Sequence, residues 1–539
     1  MQFQQFLKAN TKSIFFGILV FAFGLRFYKI GEHGLAGDEK YSLFVSQFIT
    51  YEGNNQHESV RKPNNKYFTP KEFWSEKSTD DFFDSIARLD TGNGALYTYS
   101  LHYWTKLFGL EDTSLRMLSL LFNLLTIRLL YVFVETHFRS KKLALLAVFL
   151  ATISPFYIVF SQVARNYSMN MFFALLATHL LLKIIESEEK NEKPIANYIF
   201  YGLSALACEM CHFSTFPLFF IHAIFVLMYF RKTRGYIAFI LAMIIPLIGV
   251  VIWLKSDGGK WLFDYVSNST KVYNEMAITS PDEYLSVASI KNVFKQMRYV
   301  FSAMFLSIDG LPSLTAISRK IYFVIVLTSI FSLAIFIQTT LKQSDLQQKR
   351  LRVFIFLLAF FPFLTLIAFS YQDGNTFRIM PRYIAYSYCF DLVLIVLIIR
   401  DLWYKIAWVK YPIYFVFVVQ FFIITKLITY VWSDNSPRYF MSFPEARKIN
   451  PYMFSAKQIQ QYYAKGDTVL YPSIFVEKRG GIGMPSYSVV DAQLTNFYLP
   501  KDSEITQRVD INEADKIILQ KADGSKLLIF DFEGTRYRY

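Results

Sequence analysis

The chain has 539 residues, of which 53% are hydrophobic, 18% aromatic and only 18% charged. A soluble globular chain carries about 25% charge, and 56 Phe with 36 Tyr exceed what one soluble core can bury, so disorder and an ordinary cytosolic enzyme are both excluded. The net charge of +14 would fit nucleic acid unless its placement says otherwise, and three Cys make no disulfide framework.

A bilayer core is about 30 Å thick and takes roughly 20 apolar residues per helix. Hydropathy at that length predicts about eleven transmembrane helices. They fall at residues 13–30, 115–135, 143–160, 168–185, 196–211, 213–230, 236–254, 321–340, 353–371, 384–399 and 407–431. The first is not read as a cleaved signal peptide: it has no small-residue cleavage site and runs into Arg26 and Lys29.

Basic residues mark alternate loops. One set carries Lys8 and Lys12, then Arg139, Lys141 and Lys142, then Lys183, Lys190 and Lys193, then Arg231, Lys232 and Arg234. It continues with Lys349, Arg350 and Arg352, and with Arg400, Lys405 and Lys410. The opposite set is poor in Lys and Arg apart from Arg165, Arg378 and Arg382. The positive-inside rule then predicts a cytoplasmic N-terminus and an external C-terminus. Most of the positive charge is an orientation signal, and a nucleic-acid partner is not expected.

Three outer segments are long: residues 31–114, 255–320 and 432–539. In the first, GALYTYSLHYWTKLFG (94–109) is too short to span and rich in the Tyr and Trp of membrane interfaces, so it reads as a helix lying on the outer surface. The tail alternates apolar runs with turns and reads as a small extracytoplasmic α/β domain. Its Arg479-Gly480-Gly481-Ile482-Gly483 lacks the strand, Lys and helix of a phosphate loop and reads as a turn. The expected fold class is thus an α-helical polytopic membrane protein with a small C-terminal domain.

Chemistry-bearing residues collect on the predicted outer side. Asp38 and Glu39 follow the first span; they read either as a helix N-cap with a first-turn acid or as a general base with a second tuning carboxylate. Arg165, with Tyr167 beside it, lies in a short apolar loop and either snorkels to headgroups or grips a phosphate or carboxylate. Arg378 and Arg382 break the charge rule again, which favours an anionic ligand over simple anchoring. Glu209 and His212, three apart, would share one helix face and are weak metal candidates, since a site needs two more ligands. No cofactor is certain, and a divalent metal stays open. The middles of the spans are almost purely apolar, which argues against ion conduction or transport through the bilayer centre.

The order of these pieces resembles a family. The acidic pair Asp38-Glu39 is followed by Gly92-Asn93-Gly94-Ala95-Leu96-Tyr97, Leu107-Phe108-Gly109 and Arg116-Met117-Leu118-Ser119. Then come Ser154-Pro155-Phe156, Ser161-Gln162-Val163-Ala164-Arg165-Asn166-Tyr167, Cys211-His212-Phe213, Pro381-Arg382-Tyr383 and Lys465-Gly466-Asp467-Thr468-Val469-Leu470. This series resembles the GT-C-type membrane glycosyltransferases of family 39. That group holds the dolichyl-phosphate-mannose–protein mannosyltransferases and the aminoarabinose transferase of lipid A. The likeness is specific over about residues 30–185. It departs at Gly94 and Ala95, where the family has a Pro-Pro pair, and at Val163, where it has Glu.

The resemblance implies a GT-C catalytic domain over residues 1–431 and an extracytoplasmic domain over 432–539. It implies a polyprenyl-phosphate sugar donor and an acceptor hydroxyl on protein, lipid or surface glycan, with transfer by inverting displacement. Asp38 would be the base and Glu39 its partner. Arg165, Tyr167, Arg378, Arg382, Tyr383, Asn93 and Tyr97 would bind donor phosphate or sugar. A multi-pass bacterial plasma membrane protein with its site outside is expected. The alternatives are a lipid-linked glycan transporter or flippase, or a non-catalytic scaffold member of the same fold.

Overall fold

A computed structural model describes residues 10–35, 37–50, 67–89, 94–230, 232–282, 285–305, 316–405, 410–432, 449–472, 488–510 and 512–533. Helices dominate. The described chain begins with α1 (Thr11–Phe27), α2 (Gly37–Ser46), α3 (Pro70–Phe73), α4 (Thr79–Leu89) and α5 (Leu96–Phe108). The bundle continues through α6 (Asp112–Phe138), α7 (Lys141–Ile153), α8 (Pro155–Ser161), α9 (Tyr167–Glu189) and α10 (Ile195–Cys211). After a 3-10 turn (Phe213–Thr215) come α11 (Phe216–Tyr229), α12 (Thr233–Lys255), α13 (Asp257–Thr279) and α14 (Ile290–Met304). Then follow α15 (Ala316–Leu341), α16 (Leu346–Asp373), a second 3-10 stretch (Pro381–Ser387), α17 (Tyr388–Lys405) and α18 (Lys410–Trp432).

Among the described residues the predicted spans lie mostly on helix, but they are not alike. Among the described residues, five helices are long and apolar enough to cross a bilayer, or six if one bent pair is a single span. Four apolar helices are shorter, such as Ile195–Cys211 and Phe213–Tyr229. The stretch predicted as one span over 143–160 is the bent pair: α7 and α8 meet at 62°. Pro155 is the cause. It has no N–H to give to the carbonyl of Ala151, four residues back. Arg26 takes over, donating from Nη2 to Ala151 O at 2.9 Å and from Nη1 to Thr152 O at 3.0 Å. Its Nε donates to Asn123 Oδ1 at 2.6 Å. The buried arginine thus seals the open end of a broken helix with α1.

Most of the bundle core is one cluster drawn from α6 to α11, α16 and α17. The helix α12 sits at its edge: only 22% of its most apolar window is buried, and Ile240, Leu247 and Ile252 face outward. That is the surface a lipid tail solvates at no cost.

The C-terminal part contains α19 (Pro451–Tyr462), β1 (Thr468–Pro472), α20 (Ser488–Asn496), β2 (Thr506–Asp510), β3 (Lys516–Gln520) and β4 (Lys526–Asp531). The sheet order is β2-β1-β3-β4, with β1 and β2 parallel and the other pairs antiparallel. The turn Lys465-Gly466-Asp467 enters β1, with Gly466 at φ +101°, a conformation that favours glycine. Asp467 accepts from the amides of Ala464 (2.8 Å) and Ala522 (3.0 Å) and from Lys521 Nζ (2.8 Å).

This sheet does not pack alone. One hydrophobic cluster joins Val469, Ile517 and Leu519 of the sheet to Phe44, Phe68, Phe73 and Tyr97 of the segment 31–114. Backbone bonds cross the same boundary, from Tyr67 N to Gln507 O (2.9 Å) and from Lys71 N to Ser503 O (3.1 Å). Buried side chains add to it: Gln507 donates to Phe68 O and Gln493 to Thr50 O. Residues 31–114 and the tail, predicted as separate segments, share a core.

Candidate active site

The acidic pair sits in the first turn of α2, which opens at Gly37. Asp38 is therefore inside the helix rather than its N-cap. Successive helical residues point about 100° apart, so the two carboxylates diverge. Glu39 turns into the protein and is fully buried. Its Oε1 accepts from Arg116 Nε at 2.8 Å and from Ala164 N at 2.9 Å, and its Oε2 from Arg116 Nη2 at 3.0 Å. Arg116 also donates to the carbonyls of Ile30, His33 and Gly34. Glu39, expected beside Asp38 in the site, instead pins α2 to the start of α6 and to the loop before α9.

Asp38 turns the other way. Its Oδ2 accepts from Arg382 Nη1 at 2.8 Å, and the two side chains keep 17% and 18% exposure. Arg165 approaches from the other side. Its Nη1 donates to the Asp38 carbonyl and to Ser42 Oγ, both at 3.2 Å. Arg382 lies 5.1 Å over the Tyr383 ring, and its Nε has no hydrogen-bond partner among the described residues. The Tyr167 phenol is within electrostatic reach of Arg382, Arg165, Asp38 and Tyr383.

Local sequence explains these placements. Pro381 opens the 3-10 stretch and sets Arg382 in its first turn. Arg165 lies in the break between α8 and α9, where its carbonyl accepts from Ser119 Oγ at 3.0 Å. Tyr97 hydrogen-bonds that same Ser119 at 2.9 Å and is buried, so it supports the Arg165 loop and does not line the site. Arg378 pairs with Asp373 at 2.7 Å instead of joining Asp38. Asn93 lies outside the described residues.

Gly94, one of the departures from the Pro-Pro pattern, has a steric reason. A Cβ there would stand 2.2 Å from Met210 O and 2.5 Å from Met210 C. The backbone of residue 94 is pressed against the turn that carries Cys211 and His212. Val163, the other departure, is fully buried in the bundle core.

The helix α10 ends at Cys211, and His212 has an extended backbone (φ −160°, ψ 121°). Glu209 and His212 therefore do not share a helix face as their spacing predicts. Among the described residues no group of three His, Cys, Asp or Glu side chains gathers for a metal. Both carboxylates of α2 are held by arginines. With both acids committed to guanidiniums, the described residues offer no acidic cluster here that fits a divalent ion.

Arg116, Arg26, Ser42 and Ser119 were not expected at or behind the site. Arg116 was visible only as part of a motif at the mouth of a span, and nothing in its spacing pointed to Glu39, 77 positions earlier.

Residues 94–253 match the family model for dolichyl-phosphate-mannose-protein mannosyltransferase. No curated protein sequence matches the chain. Among solved structures, the apo oligosaccharyltransferase of Archaeoglobus fulgidus aligns with TM-score 0.46 at 11% identity, over 85% of this chain and 59% of that one. The oligosaccharyltransferase AglB from Archaeoglobus fulgidus, in complex with an inhibitory peptide and a dolichol-phosphate, gives 0.44 at 11% identity, over 85% and 59%. ArnT from Cupriavidus metallidurans in the apo state gives 0.36 at 12% identity, over 91% and 84%. The chain thus spans only 59% of the archaeal relative's length. Over residues 94–253 the chain is similar to the dolichyl-phosphate-mannose-protein mannosyltransferases, the same resemblance to membrane glycosyltransferases that its ordered motifs carry.

Proposed function

We propose that the chain transfers a sugar from a polyprenyl-phosphate donor to an acceptor hydroxyl on the outer face of a membrane. The observation that carries this is the convergence of Asp38, Arg382 and Arg165 from three distant parts of the chain. A carboxylate and two guanidiniums in a half-open site suit a reaction that removes one proton and releases one phosphate.

The step is a direct displacement. Asp38 takes the proton of the acceptor hydroxyl as its oxygen bonds to the anomeric carbon. The bond from that carbon to the phosphate oxygen breaks on the opposite face, and the configuration inverts. The leaving phosphate is already an anion at neutral pH, so no general acid is needed, unlike the two-carboxylate glycosidases. Arg382 and Arg165 stabilise the charge that builds on it. Tyr167 and Tyr383 hydrogen-bond phosphate or sugar. The prenyl chain lies against apolar helix faces.

The outer-face assignment rests on the Lys- and Arg-rich loops, which the positive-inside rule puts in the cytoplasm. Asp38, Arg165, Arg382 and the C-terminal sheet belong to the opposite side. We assign the chain to a bacterial plasma membrane because the segment 255–320 is short.

The test is transfer of labelled sugar from a polyprenyl-phosphate donor by membranes holding wild type or Asp38→Asn. Wild-type turnover in the variant would remove Asp38 as base. Mass analysis of glycans and lipids in a deletion strain against its parent would name the acceptor class.

A further inference from the structure

His212 lies where α10 gives way to the 3-10 turn, and its ring caps that turn. Ser214 N donates to His212 Nδ1 at 3.1 Å. A nitrogen that accepts carries no proton, so the neutral ring must carry its proton on Nε2. Burial first, then the charges of Arg165 and Arg382, push the imidazole pKa down to about 3, so the ring stays neutral.

The surroundings of the ring are those of the site. Its centroid is 6.0 Å from the Tyr383 ring and 6.5 Å from the Tyr167 ring. Ser214 Oγ donates to Tyr383 O at 2.7 Å, fixing the turn against the stretch that holds Arg382. The only side-chain hydrogen bond of His212 among the described residues is the one at Nδ1. Nε2–H is left as a neutral donor beside two arginines. Gly94, packed on Met210, holds the turn from behind.

We infer that His212 donates from Nε2 to an oxygen of the donor phosphate, as a third contact beside Arg165 and Arg382. This rests on the reading of the site as a prenyl-phosphate site. It makes the turn Cys211-His212-Phe213 a binding element. A neutral donor here adds a hydrogen bond without a third positive charge, so it strengthens the grip without raising the repulsion between the two guanidiniums.

Two isosteric variants separate binding from folding. His212→Asn keeps an acceptor at the position of Nδ1, so the bond from Ser214 survives, but it loses the donor. His212→Gln places an N–H near the position of Nε2. The probe is farnesyl phosphate, titrated into the purified full chain in detergent, with farnesol and inorganic phosphate as controls.

The expected result is that wild type binds farnesyl phosphate and not farnesol. His212→Asn should weaken binding about tenfold, the range of a hydrogen bond to a charged group, and His212→Gln should stay within about threefold. Unchanged binding in His212→Asn would overturn the inference and leave the functional reading standing. Equal losses in both variants would also overturn it, because restoring an N–H near Nε2 would then restore nothing. Inorganic phosphate competing as well as farnesyl phosphate would mean a free-phosphate site, and failure of wild type to bind farnesyl phosphate would sink the functional reading; either result overturns the inference with it.

Discussion

Arg382 Nη1 donates to Asp38 Oδ2 at 2.8 Å, joining residues 344 positions apart. The cation proposed to hold the leaving phosphate is thus also the partner of the proposed base, and it keeps that carboxylate oriented. Removing one hydrogen-bond donor that meets the charge developing in a transition state costs about 10²–10³ in rate. Arg382→Gln should therefore slow sugar transfer by about that factor, read as initial rates at saturating donor. A variant with near wild-type turnover would show that the pair is only structural.

The buried pair of Glu39 and Arg116 supports α2. Breaking a buried ion pair by removing one partner costs about 3–5 kcal/mol. Arg116→Ala should show a cost of that order, seen as a lower melting temperature in detergent. Replacing both residues with Leu should recover part of the loss, because no charge is then left unpaired. If the double variant melts below both single variants, the pair is stabilising in its own right.

Gly94→Ala places a methyl group against the Met210 backbone. The turn bearing His212 must shift, so transfer activity should fall at least tenfold, on the order of one lost hydrogen bond to phosphate. Gly17→Ala is the control: nothing lies within 4 Å of a Cβ at that position of α1. It should leave both activity and melting unchanged. The measurement is activity per folded protein recovered by size exclusion.

Asp467 supplies a pH dependence. Lys521 and the amides of Ala464 and Ala522 hold its carboxyl below the ordinary range. A folded pKa below the unfolded one stabilises the fold above the unfolded value, about 4. That stability is lost as pH falls through the folded value. Asp467→Asn should melt lower than wild type at pH 7, and the gap should close on acidification below about pH 4. Melting scans of the full chain from pH 7 to pH 3 check this.

Helix positions were legible because 20-residue apolar runs have no other use in such a chain. Arg165 and Arg382 drew attention for the reverse reason: they fall in the set of predicted loops that is otherwise poor in Lys and Arg. What could not be read was direction. Asp38 and Glu39 are chemically alike neighbours, and only the rotation of α2 separates a site residue from an anchor. The bend at Pro155 was written in Ser154-Pro155, but the apolar run continues through it, and hydropathy does not register angle. The union of the tail with residues 67–74 was not legible either, since it depends on β2 meeting a segment more than 400 positions earlier.

That union couples the C-terminal sheet to the helix that carries Asp38. Phe44 lies on α2, and it packs in one cluster with Phe68, Phe73, Val469, Ile517 and Leu519. Loosening the strands therefore removes packing from α2, so a substitution in the sheet can be felt at a carboxylate it never touches.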